Sequence, residues 1–170
     1  MNTVVKEVTE NMEKFELGIA MQKVNDFMWT EFCDWYIELV KSVFYGEDEK
    51  AKGVVYNVLS TVLVTGLKLL HPAMPFITEE IFTHLTDEET ITTSSWPEYD
   101  EALLDEKAES DMGYIIEAIK GLRNVRAEMN VPPSRKAKVI CYISDEAKEA
   151  FNVGTSYIEK LASASEVEFI

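Results

Sequence analysis

A chain of 170 residues with 46% apolar side chains is long enough to close one core, as a single domain or a domain with a small appendage. No run of eighteen apolar residues free of charge occurs, and no basic segment followed by an apolar one opens the chain, so neither a membrane span nor a signal peptide is expected. The net charge of −15 argues against nucleic acid at first sight, but residues 119–138 hold Lys120, Arg123, Arg126, Arg135, Lys136 and Lys138 against Glu128 alone, and these include every arginine.

Taken in chain order, Val4, Val5, Val8 and Met12 among charged residues fit a short amphipathic helix over Asn2 to Lys14. Leu17, Met21, Val24, Met28, Trp35 and Leu39 then recur at helical spacing, which predicts one long helix from Leu17 to Phe44. At about 1.5 Å per residue it would span about 40 Å, and Trp35 falls at the centre of its stripe as a core anchor. Gly46, followed by Glu47, Asp48 and Glu49, reads as a helix end and a new helix start, since carboxylates suit the positive N-terminal pole. Ala51 to Leu70 is apolar around most of its circumference, the pattern of a helix at the centre of a bundle.

His71-Pro72-Ala73-Met74-Pro75 interrupts the helical pattern, and Pro75 is placed to open the next helix through Leu85. Thr86 to Asp100 reads as an extended surface connection anchored by Trp96. A further helix is expected from about Asp105 to Met129, stopped by Asn130-Val131-Pro132-Pro133-Ser134. Ala137–Ile143 and Val167–Ile170 read as strands, with one or two helices over Asp145 to Ala162 between them. The fold class is therefore mainly α, a bundle of about five helices over residues 1–131 with a small strand–helix–strand appendage at 132–170.

Few residues offer chemistry. Cys33 and Cys141 lie far apart without a Cys-x-x-Cys pair and read as reduced, packed thiols in a cytosolic protein. A helical bundle rich in carboxylates invites a di-iron site, but that needs two Glu-x-x-His pairs, and Glu80 and His84 are four apart with no partner pair. No metal site and no catalytic residue is expected, and His71 reads as a capping or loop histidine. No phosphate-binding glycine loop or nucleophile elbow is present. Arg126 is the anomaly: it falls on the apolar stripe of Ala108, Met112, Ile115, Ile119 and Leu122. Either it forms a structural ion pair with a carboxylate such as Glu31 or Glu38, or the stripe has left the core by this turn and Arg126 faces a ligand.

Three stretches carry a resemblance. Trp29-Thr30-Glu31-Phe32-Cys33-Asp34-Trp35-Tyr36-Ile37-Glu38, followed by Lys41, resembles the signature helix of the valyl-tRNA synthetase family. His71-Pro72-Ala73-Met74-Pro75-Phe76-Ile77-Thr78-Glu79-Glu80-Ile81 is similar to an inter-helix motif shared with the isoleucine and leucine enzymes, in its valine form. Arg123-Asn124-Val125-Arg126-Ala127-Glu128-Met129-Asn130-Val131-Pro132-Pro133-Ser134 resembles a later helix of the valine enzymes and its stop. Ala73 and Phe82 depart from the family's usual Phe and Trp. The His-x-Gly-His and Lys-Met-Ser-Lys-Ser motifs that activate the amino acid do not occur in these residues.

The resemblance implies the greater part of a class I anticodon-binding domain, excised from a much longer cytoplasmic enzyme and lacking the family's first bundle helix, editing domain and C-terminal arm. It implies that the parent joins valine to its tRNA with ATP and magnesium, while this part is inert, monomeric, free of cofactors and away from membranes. Its expected partners are valine tRNA and the rest of the synthetase chain, with Lys120, Arg123, Arg126, Arg135 and Lys136 as the tRNA-binding residues. The rival readings are a helical module that binds protein through its acidic surface, and a piece of the isoleucine or leucine enzyme.

Overall fold

The computed structural model describes residues 1–170, which divide into two compact units, Met1–Leu104 and Asp105–Ile170. The boundary read from the sequence, at 131/132, lies inside the second of these, because the long helix before the double proline packs on the helix that follows it.

In the first unit, α1 runs over Asn2–Glu13 and buries Val5 and Val8, as its spacing requires. It ends with Phe15 at φ 59°, a left-handed conformation that an aromatic side chain adopts at a cost of about 1–2 kcal/mol. The next helical stretch is continuous but not uniform. Helix α2 (Leu17–Asp26) passes into a π-helical segment (Phe27–Tyr36), which returns to α-helix in α3 (Ile37–Phe44).

The π segment corrects the expected core face. Bonds from residue i to i+5 widen each turn, so residues five apart share a face there that a spacing of 3.6 does not predict. Of the expected stripe, Val24 and Leu39 are buried, Met21, Met28 and Trp35 are half-buried and Leu17, ahead of the π segment, is exposed; the buried aromatics of the stretch are Phe27 and Phe32, five apart. Phe32 stacks on Tyr36 with ring centroids 6.1 Å apart.

Asp48 caps α4 (Glu49–Leu70) by accepting from the backbone N–H of Lys50 at 3.0 Å and of Ala51 at 3.1 Å. The expected burial of α4 holds only at its C-terminal end, where Gly66, Leu67 and Leu69 are buried. A Cβ on Gly66 would sit 2.6 Å from Met28 Sδ, so the tip of Met28 packs into the space that glycine leaves. Leu69 joins Val5, Val8, Ala20 and Val24 in one core cluster, and Leu67 joins Phe82 and Ile91 in another. Full burial of each Val, Leu, Ile or Phe among them contributes about 1.5–3 kcal/mol.

The N-terminal half of α4 leaves Val54, Tyr56 and Val58 exposed. By length and composition alone α4 passes as a membrane-crossing helix. The expectation of no membrane span rested on the lack of eighteen uncharged apolar residues in a row, and Lys68 with the polar Asn57, Ser60, Thr61 and Thr65 interrupts this run; the core helix of a globular protein passes the same test of length and composition.

Helix α5 (Pro75–Leu85) begins on Pro75 and buries Thr78 and Phe82, while Ile77, Ile81 and Leu85, at i, i+4 and i+8, form an exposed stripe beside them. His71 is a loop histidine. Its Nδ1 lies 2.7 Å from Thr78 Oγ1, which donates to the Met74 carbonyl, and its Nε2 lies 3.4 Å from Thr92 Oγ1. The connection after α5 is pinned to α1: Trp96 Nε1 donates to Thr9 Oγ1 at 2.9 Å, and the Asn2 side-chain amide pairs in both directions with the Asp100 backbone.

In the second unit, Asp105 caps α6 (Glu106–Glu128), whose Ile115 and Ile119 are buried. The chain then forms β1 (Ala137–Cys141), α7 (Lys148–Leu161) and β2 (Ala164–Phe169), with β1 and β2 parallel and Val139 opposite Val167. Helices α6 and α7 approach so closely that a Cβ on Gly154 would lie 2.4 Å from Ile115 Cδ1. Lys107 links the same two helices through Asp111 and Glu149, each at 2.9 Å, and these hydrogen bonds hold its ammonium above the ordinary lysine range.

Candidate nucleic-acid interface

The basic segment begins on the last turns of α6. Lys120 and Arg123 are three apart and exposed, so they share a face of the helix; Lys120 also lies 3.4 Å from Glu117 on the preceding turn. The helix then stops by a pattern that its sequence encodes. Asn130 sits at φ 52°, its N–H donates to the Ala127 carbonyl at 3.0 Å, and the Val131 N–H donates to the Arg126 carbonyl at 2.8 Å. This is a Schellman stop with asparagine in the left-handed position, and Pro132 and Pro133 follow because they cannot continue a helix.

Pro132 to Arg135 make a tight turn, closed by the Arg135 N–H donating to the Pro132 carbonyl at 3.0 Å. Arg126 reaches across it. Its Nη2 donates to the Pro132 carbonyl at 3.1 Å and to the Arg135 carbonyl at 2.6 Å. The Arg126 of the apolar stripe therefore finds backbone carbonyls of the following turn, in place of the carboxylate partner considered from the sequence. Of the two carboxylates considered, Glu38 pairs with Lys41 on its own helix.

Arg123 Nε donates to the Leu161 carbonyl at 2.8 Å, at the C-terminal end of α7, where a cation complements the negative pole of the helix. Arg123 and Arg126 line one cleft of about 460 Å³ together with Val131, Pro133, Leu161 and Ser163. Its lining is mostly apolar, with Arg123 and Arg126 among it. Arg135 and Lys136 are exposed beyond the turn. Lys138 belongs to the basic segment by sequence but not by chemistry, since Glu168 at 2.8 Å and Glu166 at 3.4 Å hold it across the sheet and push its pKa up.

The structure thus gathers Arg123, Arg126 and Arg135 around the end of α6, with Lys136 beside them in the chain and Lys120 one turn back. The contribution of the end of α7 through Leu161, and of Ser163 just after it, was not foreseen. Its only local signal is the end of an amphipathic helix, and nothing there points to an arginine 38 residues earlier. No group of three or more His, Cys, Asp or Glu side chains comes together in a way that could hold a metal ion. The thiols of Cys33 and Cys141 are both free.

Comparison with known proteins bears on this edge. Residues 1–141 match the family described as the anticodon-binding domain of tRNA ligase. The chain is 74% identical over 170 residues to the valine–tRNA ligase of Clostridium perfringens, covering 99% of this chain and 19% of that protein. It is 67% identical to the enzyme of Clostridium tetani over 100% of the chain, and 43% identical to that of Bacillus anthracis over 98% of it, again 19% of each relative. The chain spans about a fifth of the length of the curated relatives it matches. With a family match that runs from the first helix through β1, the chain belongs to the anticodon-binding domain family of tRNA ligases.

Proposed function

We propose that this domain is the tRNA-holding part of a valine–tRNA ligase and that it engages valine-accepting tRNA through the edge formed by Lys120, Arg123, Arg135 and Lys136, with Arg126 behind it. The observation that carries the reading is the concentration of cations at one helix end of a chain whose net charge is −15. A surface that only binds protein has no need to gather every arginine there, whereas a phosphate backbone rewards it. The relatives' names favour valine over the related isoleucine and leucine enzymes.

In the parent enzyme the reaction is the ATP-dependent esterification of valine to its tRNA. ATP and magnesium belong to the catalytic part, whose two signature motifs do not occur in these residues, so this part works without a cofactor and without chemistry of its own. It acts as one chain with the rest of the ligase, in the cytoplasm where translation draws on charged tRNA, and has no need to form a dimer.

The exposed apolar side chains of the first unit belong to this reading. Val54, Tyr56 and Val58 on α4, and the Ile77, Ile81 and Leu85 stripe on α5, are faces that further ligase chain covers, and the relatives have four-fifths of their length outside the matched region. A membrane is the competing occupant of α4. Flotation with lipid vesicles separates the two, since the present reading expects the chain to stay in the unbound fraction.

The direct test is equilibrium binding of a valine-accepting tRNA transcript to the 170-residue chain at low salt. Binding that weakens steeply with salt supports the assignment. Absence of binding at about 10 mM ionic strength, where the Debye length is about 30 Å, rules it out.

A further inference from the structure

The chemistry of Arg126 differs from that of its neighbours. It lies on the last turn of α6, and its Nη2 spans the two ends of the turn that follows, 3.1 Å from the Pro132 carbonyl and 2.6 Å from the Arg135 carbonyl. The Pro132 carbonyl therefore accepts from both the Arg135 N–H and Arg126, which fills both of its lone pairs. The Arg126 carbonyl accepts from Val131 N–H at 2.8 Å, so backbone and side chain of one residue fix the whole segment from Val131 to Arg135. A planar fork suits this task better than an ammonium, because its donors are rigidly spaced.

We infer that Arg126 is a positioning residue for tRNA: it does not itself meet phosphate, but orders the turn so that Arg135 and Lys136 project from a fixed backbone. This rests on the tRNA reading above. Long cationic side chains on a mobile loop lose conformational freedom when they bind, and a backbone already in place reduces that loss. Hydrogen bonds from a charged donor are strong enough to hold the turn, and bonding to neutral carbonyls leaves the positive charge uncancelled behind Arg135.

The test is a double-mutant cycle on the 170-residue chain, read as the slope of log affinity against log salt for a valine-accepting tRNA transcript. Arg126→Met keeps the apolar stem of the side chain in the cleft and removes its donors. Arg135→Ala with Lys136→Ala removes the two cations it is inferred to position, and the triple variant completes the cycle. Each lost phosphate contact lowers the slope by about 0.7–0.9. The inference expects Arg126→Met to lower the slope by about 1.4–1.8, as much as the pair does, and to change nothing further in the pair's background. Trypsin cleavage after Arg135, measured without RNA, is expected to accelerate at least tenfold in Arg126→Met.

A further drop of about 0.7–0.9 in the pair's background would mean that Arg126 touches phosphate itself and would overturn the inference, as would a slope unchanged by Arg126→Met alone. Both results leave the tRNA reading standing. Failure of the parent chain to bind overturns the tRNA reading and this inference together. If Arg126→Met loses helicity, Arg126→Lys enters the same cycle in its place, keeping charge and stem but not the planar Nη2 whose two fixed N–H bonds reach both carbonyls.

Discussion

The guanidinium of Arg126 donates to the backbone carbonyl of Arg135 at 2.6 Å, so one arginine of the basic segment holds the backbone of another. The segment is thus a small built object and not a run of like charges repelling one another in solvent. A helix stop, a proline turn and a side-chain clamp converge within ten residues, and each depends on the others to keep the cations at one edge.

The π-helical segment moves the core onto Phe32. Phe32→Ala is expected to destabilise the first unit by about 3–5 kcal/mol, while Trp35→Ala, at a half-buried position, costs less. Urea unfolding of the two variants followed by helicity measures the difference. Equal midpoints would place Trp35 in the core and return the segment to regular α-helical phase.

Gly154→Ala should destabilise the second unit although alanine is the better helix former. The new methyl would lie 2.4 Å from Ile115 Cδ1, and overpacking of this kind costs about 1–3 kcal/mol against the 0.5–1 kcal/mol or so that helix propensity returns. Adding Ile115→Val, which still carries Cγ1 and Cγ2, should recover part of the loss, because removal of Cδ1 relieves the closest contact. A thermal midpoint that rises in Gly154→Ala alone would show that the two helices are not held this close.

Much of this arrangement is legible in the sequence where the signal is local. The Asp48 and Asp105 caps, Pro75 at a helix start and the Asn130-Val131-Pro132-Pro133 stop each act within a few residues, and the structure places helix ends at all of them. In the long helix Val24 and Leu39 of the expected stripe are buried, but the burial of Phe27 and Phe32 was not legible, because apolar spacing carries no mark of a change from i+4 to i+5 bonding. Burial of α4 was over-read for a different reason. A helix that is apolar around its circumference implies that something covers it, but not that the cover lies in the same stretch of chain.

The site divides the same way. The basic segment stands out by charge alone, and the helix stop explains why its two limbs meet. The partners of Arg126 and Arg123 are backbone carbonyls, and every residue has one. No residue type at Pro132, Arg135 or Leu161 could have signalled those contacts.

Burial pushes the Cys141 thiol above the usual cysteine range. A raised pKa leaves less thiolate at any given pH, so alkylation of Cys141 near pH 8 is expected to be slower in the folded chain than in urea. Its pH midpoint should fall on unfolding. Mass-spectrometric labelling with iodoacetamide at a series of pH values checks both, and a folded chain labelled as fast as the unfolded one would contradict the burial at the end of β1.

The central claim is that tRNA is held by the cations at the end of α6. The measurement that tests it most directly is the affinity of a valine-accepting tRNA transcript for Arg135→Glu/Lys136→Glu, two exposed positions whose side chains hold no part of the fold, with helicity followed in parallel. The account predicts that the double reversal abolishes binding at low salt while the helical signal stays within experimental error of the parent. A double reversal that binds this tRNA as tightly as the parent chain, with the same salt slope, would contradict it.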